Sequence, residues 1–138
     1  MPRERFPPDD PGEWLQRART NLRLVKTEPS DLDLEELCFN AQQAAEKSIK
    51  AVFIARGIAF PFVHDLASLL SLLEQAGEVI PRTFDDAEWL TTFAGRSRYP
   101  SDDEPVTASE HGRAVASAET VVAWAEAWVA SLRAEAGG

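Results

Sequence analysis

The longest regular pattern of apolar and polar positions in the chain runs from Leu37 to Gly57. With an advance of 100° per residue, its small and apolar side chains form one continuous arc, and Asn40, Gln43, Lys47 and Lys50 fall opposite. The arc consists of Leu37, Cys38, Ala41, Ala44, Ala45, Ser48, Ile49, Ala51, Val52 and Ala55. The pattern predicts a helix of about 23 residues, roughly 34 Å long, against which neighbouring helices pack closely.

A third strip on this helix mixes two aromatic rings with an amide and a carboxylate: Phe39, Gln42, Glu46 and Phe53. Such a mixture is unusual beside a simple buried face, so it indicates a second partner, either another helix or another copy of the chain. We therefore treat these four residues as a candidate dimer or partner interface. Glu46 and Lys50, four residues apart, are interpreted as a surface ion pair, with a polar contact at a dimer face as the alternative.

Four further segments show helical spacing between capping residues. They run from Asp10 to about Lys26, from Asp65 to Gly77, from Thr83 to just before Pro100, and from Thr107 to about Leu132. Because no useful stretch alternates like a strand, the sequence predicts an all-α fold, an antiparallel up-and-down bundle of four to five helices. We expect a flexible N-terminal arm at 1–9, the bundle at 10–133 and a loose tail at 134–138.

Composition narrows the class of protein. The 138 residues carry a net charge of −9, which argues against a protein that coats duplex DNA. The sequence has no apolar run near the roughly 20 residues of a membrane span, so we expect a soluble protein. The N-terminal sequence lacks a secretory h-region, and Cys38 is the single cysteine, which favours a reducing cytoplasm and an inert core thiol.

Short connections would bring the end of the second helix, Arg56 and Gly57, together with the start of the third, the end of the fourth and the start of the fifth. The candidate ligand-binding residues at that end are Arg96, Arg98, Tyr99, His64 and Asp65. Guanidinium groups and the free amides of a helix N-terminus both suit phosphate oxygens. In the alternative interpretation Arg98 pairs with Asp65 or with the acidic loop at 101–105, and the cluster merely ties helix ends together.

Catalytic patterns are sparse. The chain has two histidines, His64 and His111, and it has no metal-spaced cluster, no glycine-rich phosphate loop and no serine nucleophile elbow. These observations predict no metal and no cofactor, and they do not require an enzyme.

Three runs in order, CFNAQQAAEKSIKAVFIARG, FPFVHDLASLL and RSRYP, resemble the HEPN family over about residues 14–132. The resemblance implies a helical bundle that is usually a homodimer. It also implies a nucleotide-binding role and, in many members, a neighbouring minimal nucleotidyltransferase that forms a toxin–antitoxin-like pair with the HEPN protein. Such a partner modifies a HEPN tyrosine with AMP in some systems, which makes Tyr99, the chain's only tyrosine, a candidate modification site.

Many HEPN proteins cleave RNA without a metal, through an Arg followed four to six residues later by His. This sequence departs from that motif, because the first His after Arg98 is His111. It looks like the branch that carries Arg-Tyr-Pro instead. The preferred hypothesis is a non-catalytic module that dimerises and binds a nucleotide or a nucleotidyltransferase. The alternatives are a ribonuclease that uses Arg98 with His64 or His111, and a structural dimeric scaffold.

Overall fold

The computed structural model describes residues 3–63, 65–94, 100 and 103–137. Over these ranges it contains five helices and no strand, which confirms the predicted all-α bundle. The elements are α1 at Pro11–Val25, α2 at Leu34–Arg56, α3 at Leu66–Gln75, a 3₁₀ helix at Arg82–Ala94, and α4 at Ala108–Gly137.

Local signals set several of these boundaries as predicted. The Asp65 side chain accepts a hydrogen bond from the Ala67 amide at 3.1 Å and so caps α3. Before α4 the Glu110 amide donates to Thr107 Oγ1 at 3.1 Å, and the Thr107 amide donates back to Glu110 Oε1 at 3.0 Å. Gly57 ends α2 with φ +71°, a left-handed conformation that glycine adopts without a Cβ penalty.

Helix α2 is the centre of the bundle, as its pattern predicts. Its small residues Ala41, Ala44, Ala45 and Ala51 are each fully buried, and so is Cys38. Helices α1 and α4 both pack against α2, where small side chains let helix axes approach closely. The core of the protein is therefore built around α2.

Ion pairs and hydrogen bonds fix the directions of the long helices. Arg19 near the middle of α1 pairs with Glu126 of α4 at 3.2 Å, and His111 Nε2 near the start of α4 lies 2.7 Å from the Val25 carbonyl at the end of α1. Helix α4 is thus antiparallel to α1. The Val106 amide, just before α4, donates to Glu35 at the start of α2, so α2 and α4 run in the same direction.

The expectation that Arg56 and Gly57 would meet the start of α3 is wrong. Arg56 instead pairs at 2.7 Å with Glu78, which follows the end of α3. The reason is the connection after Gly57, which runs back along α2: the Phe60 ring lies 5.0 Å from Lys50 Nζ. Helix α3 therefore runs in the same direction as α2. The predicted grouping of the α4 start with Arg56 is also wrong, because Val106 contacts the opposite end of α2.

The fourth helix is a 3₁₀ helix, although its pattern predicted an α-helix. A 3₁₀ helix has three residues per turn, so side chains three apart lie in line. Its buried residues are Phe84, Ala87, Leu90 and Phe93, each three positions from the next. This strict spacing lets the tighter helix place all four side chains in the core on a single face.

Candidate functional site

Four of the five residues predicted to bind a ligand, Arg96, Arg98, Tyr99 and His64, lie outside the described residues. The fifth, Asp65, is exposed. Its Oδ1 caps α3, and its Oδ2 accepts from Ser68 Oγ at 2.8 Å. Both carboxylate oxygens of Asp65 therefore serve the first turn of α3.

One contact joins the two segments that carry the predicted site. The Leu66 amide at the start of α3 donates to Thr91 Oγ1 near the end of the 3₁₀ helix, at 3.0 Å. Leu66 follows Asp65 directly, and Thr91 precedes Arg96 by five positions. The start of α3 and the end of the 3₁₀ helix are thus neighbours, as the sequence predicted.

The mixed strip on α2 lies largely within the single chain. Gln42 and Phe53 are 0% exposed, Glu46 is 4% exposed and Phe39 is half-buried. Gln42 Nε2 donates to Glu46 Oε1 at 2.8 Å, and the Phe53 ring meets the Phe60 ring edge-on with centroids 5.9 Å apart. The second partner that the strip's composition indicated therefore includes the segment after Gly57, which packs on α2 within the same chain. Dimerisation through these residues stays a prediction.

Glu46 and Lys50 form a buried ion pair, which corrects their interpretation as a surface pair. Lys50 Nζ donates to Glu46 Oε2 at 2.9 Å, and both side chains are less than a tenth exposed. The ammonium also lies over the Phe60 ring. Removing either charge would leave the other buried without compensation, which is strongly destabilising.

A basic cleft lies between the N-terminal segment, α1 and α2, and the sequence analysis did not predict it. Its volume is about 340 Å³. The residues that line it are Arg3, Arg5, Arg17, Thr20, Asn21 and Lys47. Four cations around one cleft are unexpected in a chain whose net charge is −9. No sequence signal identifies this cleft, because its lining residues come from three segments that only the tertiary structure brings together.

Glu13 positions two of the cleft's arginines. Its carboxylate accepts from Arg3 Nη2 and from Arg17 Nε, each at 2.7 Å, and from the Phe6 amide at 3.0 Å. These hydrogen bonds, with the one from Arg3 contributing most, hold the pKa of the Glu13 carboxyl well below its usual range. Glu13 therefore stays ionised and ties the N-terminal segment to α1.

Lys47 forms the opposite wall of the cleft. Its Nζ donates to Asn21 Oδ1 at 2.8 Å, and Asn21 Nδ2 donates to Asn40 Oδ1 at 2.8 Å. Partial burial and the nearby charge of Arg17 lower the pKa of the Lys47 ammonium. Among the described residues, no carboxylate lies within 4.0 Å of this ammonium, so its partner is an amide oxygen of α1.

Other candidate chemistry is limited over the part of the chain that the structure describes. No group of three or more His, Cys, Asp and Glu side chains could hold a metal ion there. His111 uses one ring nitrogen to bind the Val25 carbonyl, which joins α4 to α1. Burial raises the pKa of the Cys38 thiol to about 12, so the thiol is neutral at physiological pH. No helix within the described ranges is long and apolar enough to span a membrane.

The profile of the HEPN domain matches residues 12–128, which is most of the chain. The chain belongs to the HEPN family. The crystal structure of TT1696 from Thermus thermophilus is similar at 30% sequence identity, with a TM-score of 0.74 over 86% of this chain and 97% of that one. The structure of ST0689, an archaeal HEPN homologue, superposes with a TM-score of 0.71 at 23% identity, over 87% of this chain and 98% of that one. No curated protein matches the chain.

This membership confirms the resemblance drawn from the three sequence runs. The matched range includes α1, α2, α3, the 3₁₀ helix and the greater part of α4. The HEPN fold of this chain is therefore the bundle centred on α2.

Proposed function

We propose that this protein is a non-catalytic HEPN module that dimerises and binds a nucleotide, a minimal nucleotidyltransferase, or both, in a toxin–antitoxin-like pair in the cytoplasm. Arg96, Arg98 and Tyr99 after the 3₁₀ helix, with His64 and Asp65 before α3, are the proposed ligand-binding residues. Tyr99 is the proposed site of modification by the partner.

The observation that carries this proposal is the 3.0 Å hydrogen bond from the Leu66 amide to Thr91 Oγ1. It holds the start of α3 beside the end of the 3₁₀ helix, and each of the proposed residues is within eight positions of one of these two anchors in sequence. Two guanidinium groups near a helix N-terminus are well suited to bind phosphate. The family membership and the absence of the Arg-to-His spacing of the ribonuclease branch support the non-catalytic role.

Calorimetric titration of the purified protein with ATP tests ligand binding. We expect binding that Arg98→Ala weakens at least tenfold, because a charge-assisted pair with phosphate is lost. Arg82→Ala is the matched control, since Arg82 is exposed at the start of the 3₁₀ helix and precedes Arg98 by 16 positions in sequence. No heat at millimolar ATP, or equal effects of the two substitutions, would remove nucleotide binding from the proposal.

Two further measurements test the oligomeric state and the lack of catalysis. Sedimentation equilibrium should show a dimer at tens of micromolar protein, and a monomer there would contradict dimerisation. Total RNA incubated with the protein in EDTA should remain intact. Cleavage that disappears in His64→Ala or His111→Ala would instead establish the ribonuclease alternative.

A further inference from the structure

The basic cleft is assembled from three separate parts of the chain. The N-terminal segment supplies Arg3 and Arg5, α1 supplies Arg17, and α2 supplies Lys47. Glu13 holds Arg3 and Arg17 at 2.7 Å each, and Asn21 holds the Lys47 ammonium at 2.8 Å. Three of the four cations are therefore fixed in place before any ligand arrives, which reduces the entropy that binding would cost.

The charges in this cleft are not balanced. Glu13 carries a single negative charge and is shared by two guanidinium groups, so the pair of arginines keeps a net positive charge. The Arg5 guanidinium has no hydrogen-bond or ion-pair partner among the described residues, and Lys47 is paired with an amide. The four cations of the cleft and the Glu13 carboxylate together carry a net charge of +3.

We propose that this cleft binds the oligophosphate group of a small-molecule ligand, either free polyphosphate or the phosphate chain of a nucleotide. Guanidinium forks and an ammonium are the side chains that best match phosphate oxygens, and Thr20 and Asn21 add neutral hydrogen-bonding groups on the α1 side. A triphosphate carries roughly the three to four negative charges that would balance the cleft. The volume of about 340 Å³ is at the lower end of small-molecule sites, roughly 300 to 1,000 Å³.

This inference goes beyond the proposed function, because the cleft uses none of the residues proposed there. Titration with sodium tripolyphosphate tests the cleft, whereas Arg98→Ala tests the other site. Tripolyphosphate binding that Arg98→Ala leaves unchanged and that cleft substitutions weaken supports the cleft whether or not the proposed function holds.

The experiment is calorimetric titration of the intact protein with tripolyphosphate, ATP and adenosine at low and high salt. We expect tripolyphosphate and ATP to bind and adenosine to give no heat, with weaker binding at high salt because the interaction is electrostatic. Lys47→Gln, which keeps a polar group beside Asn21, should weaken tripolyphosphate binding about tenfold through the loss of one charge-assisted contact. Arg5→Glu should weaken it at least as much, and it removes no hydrogen bond or ion pair among the described residues.

Arg23→Glu is the matched control, because Arg23 is exposed on α1 outside the cleft and the substitution changes the net charge as Arg5→Glu does. It should change the affinity less than twofold. Equal losses in the two charge reversals would show a diffuse field and overturn the proposal, as would no heat with millimolar tripolyphosphate. Tighter binding of a short single-stranded RNA than of either phosphate ligand would also overturn it. Equal affinities for tripolyphosphate and ATP support free polyphosphate as the ligand. Tighter ATP binding that Arg5→Glu weakens and Arg98→Ala leaves unchanged supports a nucleotide.

Discussion

Phe53 provides a sharp test of whether the mixed strip on α2 belongs to the core or to a dimer interface. Its side chain is 0% exposed within one chain, and its ring meets the edge of the Phe60 ring. If burial within the chain determines its role, Phe53→Ala removes a core ring and leaves a cavity. The cost for such substitutions is about 3 to 5 kcal/mol, of which the aromatic contact contributes about 0.5 to 1.5 kcal/mol.

This cost converts to a large change in melting temperature. With an unfolding entropy of about 2.1 cal/mol/K per residue, a loss of about 3 to 5 kcal/mol lowers the melting temperature of a 138-residue chain by about 10 to 17 °C. Phe53→Leu fills part of the cavity, and its cost should stay near or below about 1.5 kcal/mol. It keeps the test usable if Phe53→Ala does not fold.

The assay is urea unfolding followed by circular dichroism at two protein concentrations tenfold apart. Phe62→Ala is the matched control, because it removes the same ring from a position that is 101% exposed and should cost less than about 0.5 kcal/mol. The destabilisation by Phe53→Ala should be the same at both concentrations. A loss below about 1 kcal/mol, or a loss that depends on protein concentration as dissociation does, would refute the assignment of Phe53 to the core.

Three further predictions concern single residues. Gly57→Ala should destabilise the protein by about 1 to 2 kcal/mol, because φ at this position is +71°. Gly112 lies inside α4, where an added Cβ meets open space, so Gly112→Ala should stabilise the protein by up to about 1 kcal/mol. Calorimetric melting of the two variants and the wild type measures both effects. Cys38, with its pKa raised to about 12, should react with Ellman's reagent at pH 8 on the order of a thousandfold more slowly than a free thiol, and fast reaction of folded protein would contradict its burial. Because the pKa of the Glu13 carboxyl is lowered, its contacts stabilise the fold at any pH above the ordinary glutamate pKa and are lost only when the pH falls well below that value. The NMR signal of the Phe6 amide, which donates to Glu13, should therefore not shift as the pH falls from 6 to 4.

The boundaries of most helices could be predicted because they depend on a few adjacent residues. The reciprocal hydrogen bonds of Thr107 and Glu110 join residues three apart, and the left-handed Gly57 ends α2 regardless of what packs around it. Asp33 shows the limit of such signals. It precedes α2 with Glu36 three positions on, yet its side chain makes no capping hydrogen bond. A capping residue makes a hydrogen bond to the helix N-terminus possible, but whether that bond forms depends on the surrounding structure.

Burial on α2 was harder to predict because it depends on a distant segment. The polar character of Gln42, Glu46 and Lys50 suggested a border or a surface, but the connection after Gly57 runs back over this side of the helix. The assumption that a short connection reverses direction fails for the residues between Gly57 and Leu66, which are enough to cross part of α2 before α3 begins. For the same reason the sequence analysis predicted Arg56 beside the start of α3, whereas it pairs with Glu78 after the end of that helix.

The basic cleft shows why the net charge of a chain is a poor guide to a local site. Net charge sums every residue, but the field at a phosphate is set by charges within about one Debye length, roughly 8 to 10 Å. In this protein Arg3 and Arg17 converge on the same carboxylate, and a single carboxylate cannot neutralise two guanidinium groups. Glu13 therefore concentrates positive charge by drawing cations together. An acidic chain can in this way present a strongly basic cleft.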